Sequence, residues 1–223
     1  RKGKLAGRKV VVTAGGSQQP IDSVRFIANR SSGKQGYALA QAAIDTGAQV
    51  TLISAPTALT PPVGADVVNV QTAAEMQDAV LAEIKTADAL VMAAAVADFQ
   101  PVDVAENKLK KRDGIPQITL EAAPDVLKAV ADRRSRENRL QVVVGFAAES
   151  QSLLDNAAEK LASKKLDFIV ANDISATDAG FAVETNRVTL LFADGRQETL
   201  ALMSKADVAE IVIAKVASLM EKI

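Results

Sequence analysis

Short apolar runs alternate with helical patterns along most of this chain, and that alternation leaves few folds open to it. Strands are predicted at Lys9–Thr13, Gln49–Ser54, Asp66–Val70, Ala89–Ala94, Gln141–Phe146 and Asp167–Ala171. Helical patterns fall between most of them, at Gly33–Thr46, Ala73–Lys85, Asp125–Arg134 and Leu153–Ser163. Thr72 followed by Glu75 is a capping box that opens the second helix. Gly47 ends the first, at the position where a helix turns left-handed. Short apolar strands separated by helices form βαβ units, whose strands run parallel and are covered on both faces. The expected fold is α/β: a Rossmann-like, doubly wound, mainly parallel sheet.

The rhythm breaks twice. From Asp98 to Ala123 the chain turns polar and lysine-rich, with one alternating run at Gln117–Glu121. A connection that long in a compact domain is a functional loop or an arm to a partner. Later, Val188–Phe192 and Gln197–Ala201 flank Asp194-Gly195, a hairpin signal, and Ser204 caps a last helix to about Lys222. The chain starts at Arg1 without a Met, and Arg1-Lys2-Gly3-Lys4 opens a stretch, 1–7, that reads as a linker. One domain over 1–223, cut from a longer polypeptide, is expected.

Composition narrows the chemistry. At 223 residues and 48% apolar content the chain can bury one good core. A formal charge of −1 argues against a nucleic-acid surface spread over the molecule. No apolar run approaches a membrane span and no signal peptide is visible, so the cytoplasm is the expected compartment. The chain has no Cys and no His, which excludes disulfides, thiolate nucleophiles, imidazole-ligated zinc and Ser-His-Asp catalysis. What remains is Lys, Arg, Asp, Glu, Asn, Ser and Thr, backbone amides, and a hard cation carried by phosphate.

The segment from Phe26 to Gly36 concentrates those groups. It follows the Val10-Val11-Val12 strand and a Gly15-Gly16 break, and it leads into an alanine-rich helix. A strand, a glycine- and hydroxyl-bearing loop and a helix start put backbone N–H groups around an anion. Asn29, Ser31 or Ser32 as a plain N-cap, with Gly33 easing the turn, is the alternative. Arg25, Asn29, Arg30 and Lys34 around the loop favour the anion, with Gly15, Gly16, Ser31, Ser32, Gly33 and Lys34 as the phosphate loop. Ligands of open parallel sheets bind beyond the carboxyl ends of the strands. Small residues recur at those ends: Ala93 to Ala97 before Asp98, Gly145-Phe146-Ala147-Ala148-Glu149, and Ala171-Asn172-Asp173. No Gly-x-Gly-x-x-Gly follows the first strand, the second lacks an acidic residue for a ribose, and Gly33-Lys34 is not a Walker A motif. Lys108, Lys110 and Lys111 cluster in the polar arm, and Lys160 and Lys164 lie one helical turn apart. Each cluster reads as a solvated basic face or as a grip on a nucleoside triphosphate.

Taken in order, these motifs resemble bacterial phosphopantothenoylcysteine synthetase. They are the Gly-Gly loop, Asp22, Val24-Arg25-Phe26-Ile27, Asn29 to Gly36, Ala94 to Phe99, Lys108 to Lys111, Gly145 to Glu149 and Ala171-Asn172-Asp173. That family forms the C-terminal half of a bifunctional coenzyme A biosynthesis protein whose other half is a flavin-dependent decarboxylase. The resemblance implies a ligase that activates 4′-phosphopantothenate with CTP and Mg²⁺ as an acyl-cytidylate, then forms the amide with cysteine. It implies that Lys108 stabilises charge as the acyl-cytidylate forms. Asn29, Arg25 and the Ala95 backbone would hold that intermediate and polarise its carbonyl. Asp98 would hold the nucleoside, Pro124, Asp125, Val126, Leu127 and Phe146 would surround the base, and Lys160 and Lys164 would meet the triphosphate. The resemblance further implies a homodimer and an arm, 98–123, that folds over the site. The chain departs from the family's pattern at Ser17-Gln18-Gln19, where Thr-x-Glu is usual, at Ser23 for Pro, and at Ala123 for Asn. A Rossmann-like binding module or NADPH-dependent reductase is the other reading, and an inert fragment that needs its partner domain a third; Asn29 with Lys108 favours the ligase.

Overall fold

The computed structural model describes residues 2–137, 139–149, 152–173 and 185–221, without the side chains of Glu149 and Asp173. Eight strands among them form one sheet. They are β1 (Lys9–Ala14), β2 (Gln49–Ser54), β3 (Ala65–Asn69), β4 (Ala89–Met92), β5 (Val142–Glu149), β6 (Phe168–Asp173), β7 (Val188–Phe192) and β8 (Gln197–Thr199). Their order across the sheet is β3-β2-β1-β4-β5-β6-β7-β8. The first six in chain order are parallel, and the β7–β8 hairpin closes one edge antiparallel. This is the doubly wound order, extended by a hairpin.

Among the described residues, the α-helices α1 (Lys34–Asp45), α2 (Ala73–Glu83), α3 (Val126–Arg134), α4 (Leu153–Ser163) and α5 (Lys205–Met220) cover it. Because successive strand residues face opposite sides, each strand feeds two cores. Val10, Val12, Leu52, Val144 and Phe168 pack against α1 and α5. Val11, Ile53, Val143 and Ile169 pack against α2, α3 and α4. Helix α1 lies unusually close to β1, since a Cβ on Gly36 would stand 2.5 Å from the Ala14 Cβ and 2.8 Å from the Thr13 carbonyl oxygen. Only glycine allows that approach.

The Thr72–Glu75 capping box forms, and Gly47 takes a φ of +96° after α1. A second box, Ser204 with Asp207, opens α5, which ends at Met220; Lys222 and Arg1 lie outside the described residues. Three features differ from expectation. The arm is not an irregular loop, because Phe99–Pro101 and Leu120–Ala122 pair antiparallel at its base. Gln18–Pro20 and Phe26–Ala28 form another ribbon inside the segment read as a loop, and Thr185–Asn186 pairs with Met203–Ser204. Strands of two or three residues are too short to carry a period. Within the expected linker, Leu5 is fully buried and donates its N–H to the Thr46 oxygen at 3.0 Å, which docks that segment on the end of α1. No helix among the described residues is long and apolar enough to cross a membrane.

Candidate functional site

Strand order reverses at β1, whose neighbours β2 and β4 are reached through α1 and α2 on opposite faces of the sheet, so the chain parts above the carboxyl end of the sheet. A cavity of about 850 Å³ opens there. Residues 29–36 form one wall, residues 92–98 after β4 form the floor, and residues 122–127, Phe146, Lys160 and Lys164 form the opposite side.

Gly15 and Gly16 stand behind this cavity and do not line it. They zip the end of β1 to the segment after β4: Ala95 N–H donates to the Gly15 oxygen at 2.8 Å, and Ser17 N–H to the Ala95 oxygen at 3.2 Å. A Cβ on Gly16 would come within 2.8 Å of the Asn29 oxygen, so glycine there lets the Asn29 strand press inward. Ser17 and Gln19, two of the unusual residues, are both buried. Ser17 Oγ accepts from Ala97 N–H at 2.8 Å and from Gln19 Nε2 at 3.4 Å, a neutral pair that bolts the ribbon to the cavity floor.

Asn29 leaves that ribbon at the cavity rim and donates from Nδ2 to the Val96 oxygen at 3.0 Å. Asn29, Ala95 and Asp98 thus share one rim of the cavity. Ser31 and Ser32 do not cap α1. Its N-cap is Gly33, at φ +77°, with no side-chain cap; the two hydroxyls instead accept from the Gly33 and Lys34 N–H groups at 3.3 and 3.5 Å. Ser31, Ser32, Gly33 and Lys34 all line the cavity, beside the positive end of the α1 dipole.

Pro124, Asp125, Val126, Leu127 and Phe146 face this wall across the cavity. Asp125 caps α3, accepting from Lys128 N–H at 2.9 Å, and takes Lys164 Nζ on its other oxygen. Burial would raise the Asp125 carboxyl, but the Lys164 and Lys128 hydrogen bonds and the charges of Lys164 and Lys160 outweigh it and lower its pKa. Lys160 Nζ donates to the Phe146 oxygen at 2.9 Å, so both lysines are held at the cavity edge.

Arg25 and Lys108 do not line the cavity. Arg25 sits at the bend of the 18–28 ribbon, pairs with Asp22 and donates from both terminal nitrogens to the Leu109 oxygen at 3.2 Å. Lys108 is exposed on the arm next to that contact. Four further polar groups line the far end of the cavity: Gln35, Asn172, Asn186 and Lys205. Asn186 Nδ2 donates to Gln35 Oε1 at 2.8 Å, and Gln35 Nε2 to the Lys205 oxygen at 3.1 Å. Asn172 Oδ1 is buried with no hydrogen-bond donor among the described residues, which suits it to accept from a ligand. The sequence pointed to Asn172 as a strand end. Gln35 lay inside the Asn29 to Gly36 motif without being given a role, and Asn186 and Lys205 gave no signal, because each looks like an ordinary solvated residue of its element.

Comparison with known proteins gives a consistent picture. Residues 5–220 match the family described as DNA/pantothenate metabolism flavoprotein C-terminal domain. The Coenzyme A biosynthesis bifunctional protein CoaBC of Bacillus subtilis (strain 168) is 46% identical over 216 residues, covering 96% of this chain and 52% of that protein. The chain therefore spans about half the length of such relatives. The crystal structure of the C-terminal domain of a CoaBC protein superposes with a TM-score of 0.84 at 34% identity over 100% of both chains. A Cab2 variant in complex with phosphopantothenate-cysteine shares the fold, at a TM-score of 0.74 and 18% identity over 96% of this chain and 87% of that one.

Proposed function

Since the chain belongs to the DNA/pantothenate metabolism flavoprotein C-terminal domain family, we propose that it is the phosphopantothenate–cysteine ligase of coenzyme A biosynthesis, with CTP as the activating nucleotide. One observation carries this most: Asn29, Ala95 and Asp98 share a cavity with Lys160, Lys164 and Phe146. An acyl-nucleotide ligase needs its acyl-transfer groups and its triphosphate grip in one chamber.

The residues divide the work as follows. Lys160, Lys164 and the N–H groups at the start of α1 hold the triphosphate, Asp98 the nucleoside, and the Pro124 to Leu127 turn with Phe146 the base. The 4′-phosphopantothenate carboxylate attacks the α-phosphorus, pyrophosphate leaves, and an acyl-cytidylate remains. Lys108, brought over the cavity by its arm, offsets the charge that builds at phosphorus. Asn29, through the Nδ2 hydrogen not given to Val96, then binds the acyl carbonyl over the floor that Ala95 forms, the cysteine amine attacks it, and CMP departs with the amide formed. No step calls for an imidazole, in keeping with a chain that has none; positioning and charge neutralisation suffice. Among the described residues no three acidic side chains gather into a cage, so Mg²⁺ is best carried by the nucleotide's own phosphates.

Phe26, Phe99, Val102 and Leu120 are exposed on the two adjoining ribbons, which supports a homodimer formed through them. A flavin-dependent decarboxylase in the same polypeptide, and a cytoplasmic location with its CTP supply, complete the proposal. The test is pyrophosphate release by this chain with CTP, Mg²⁺ and 4′-phosphopantothenate, with and without cysteine. Release that requires CTP and quickens with cysteine is expected. A folded protein that binds NADPH and releases no pyrophosphate would instead be a reductase or a binding module.

A further inference from the structure

The ribbon that delivers Asn29 also holds the arm that carries Lys108, through a contact outside the lining of the cavity. Asp22 occupies the bend between Gln18–Pro20 and Phe26–Ala28, and its side chain is 0% exposed. Oδ1 accepts from Val24 and Arg25 N–H at 2.8 and 2.7 Å, which fixes the bend. Oδ2 accepts from the Arg25 guanidinium and, at 3.1 Å, from Leu109 N–H. The same guanidinium donates twice to the Leu109 oxygen at 3.2 Å. Both backbone groups of one arm residue are therefore gripped by one buried carboxylate and its arginine. Farther back, Ala105 N–H donates to the Ile21 oxygen at 3.0 Å. Lys108 lies between these two tethers, with its own side chain exposed.

We propose that Asp22 is a positioning residue for the ligase reaction: through Arg25 and the Leu109 backbone it sets where Lys108 stands relative to Asn29. The proposal rests on the ligase assignment above. A carboxylate is required here because all four donors converge on it and none could be accepted by an amide nitrogen. Burial alone would raise the Asp22 carboxyl. The Val24, Arg25 and Leu109 N–H bonds and the Arg25 charge outweigh burial and hold its pKa at about 2, so the grip is fully charged at any assay pH. Misplacing a charge-stabilising group by an ångström costs a rate of about 10²-fold.

The test is Asp22→Asn, read in three ways. Expected are a fall of about 10- to 100-fold in kcat for pyrophosphate release, KM values for CTP and cysteine within about twofold of wild type, and faster tryptic cleavage after Lys108, Lys110 and Lys111. Combined with Lys108→Gln, the Asp22 variant should add less than about twofold, since a group acting only through Lys108 has nothing left to position. A glycine inserted between Lys108 and Leu109 leaves Asp22 and the bend intact, and it should reproduce the kcat loss even where Asp22→Asn folds poorly. Unchanged kcat in both variants, or losses that multiply with Lys108→Gln, would overturn the positioning role while leaving the ligase assignment standing. Wild-type protein that releases no pyrophosphate would overturn both, whatever trypsin shows of the arm.

Discussion

Asn29 and Lys108 stand on different supports, and in the proposed reaction they act at different stages. Asn29 is fixed at the rim by its bond to the Val96 oxygen, beside Ala95, whose backbone is zipped to Gly15 and Ser17. Lys108 is exposed on a tethered arm. Lys108→Gln should cut acyl-cytidylate formation by about 10²–10³-fold, as loss of one transition-state charge partner does. Asn29→Asp should let the intermediate form and then accumulate, because only the later attack needs the polarised carbonyl. Rapid quench with mass detection separates the two, and equal loss of both steps in both variants would contradict the division. The Asp22 contact has its own signature in acid. A carboxyl lowered from 3.8 to about 2 in the folded protein contributes stability that is complete above 3.8 and is lost as pH falls through about 2. The Leu109 amide resonance should therefore titrate with a midpoint near 2; a midpoint near 3.8 would show that the Asp22 contact is absent in solution.

Between elements, the tightest constraint is the seat of α1 on β1. Gly36→Ala places a methyl against Ala14 and the Thr13 carbonyl, in a central strand that cannot retreat. The variant should lose about 1–3 kcal/mol despite alanine's better helix propensity, seen as a lower denaturant midpoint at unchanged m. An unchanged midpoint would mean that α1 moves freely, and with it the loop of residues 29–33. Longer elements were legible in the sequence because their periods and caps are local: Thr72 with Glu75, Gly47, and the turn at Asp194-Gly195 each announce a boundary. The three ribbons were not. Gln18–Pro20 and its partner owe their pairing to Asp22 and to the bolt between Ser17 and Ala97, contacts that no short window of sequence contains.

For the molecule as a whole, the parallel order with its reversal at β1 leaves a crevice at the carboxyl end of the sheet, and Ala93 to Asp98, Phe146 and Asn172 line the cavity there. Asn29, Ala95, Asp98, Phe146, Lys160 and Lys164, far apart in sequence, share one cavity. Gly15 and Gly16 serve it from behind, and Arg25 serves the arm, because backbone approach and tethering are properties of the fold that motif spacing cannot express. Gln35, Asn186 and Lys205 reach the cavity from α1, the stretch after β6 and α5, and only the assembled layers bring them together. The proposed ligase activity requires that the carboxylate be activated as an acyl-nucleotide. The most direct measurement uses 4′-phosphopantothenate labelled with ¹⁸O in its carboxylate, CTP, Mg²⁺ and cysteine, with mass analysis of the nucleotide product. Attack at the α-phosphorus followed by amide formation must leave one labelled oxygen in CMP. Unlabelled CMP, or label in inorganic phosphate, would contradict the acyl-cytidylate and the roles assigned to Lys108 and Asn29.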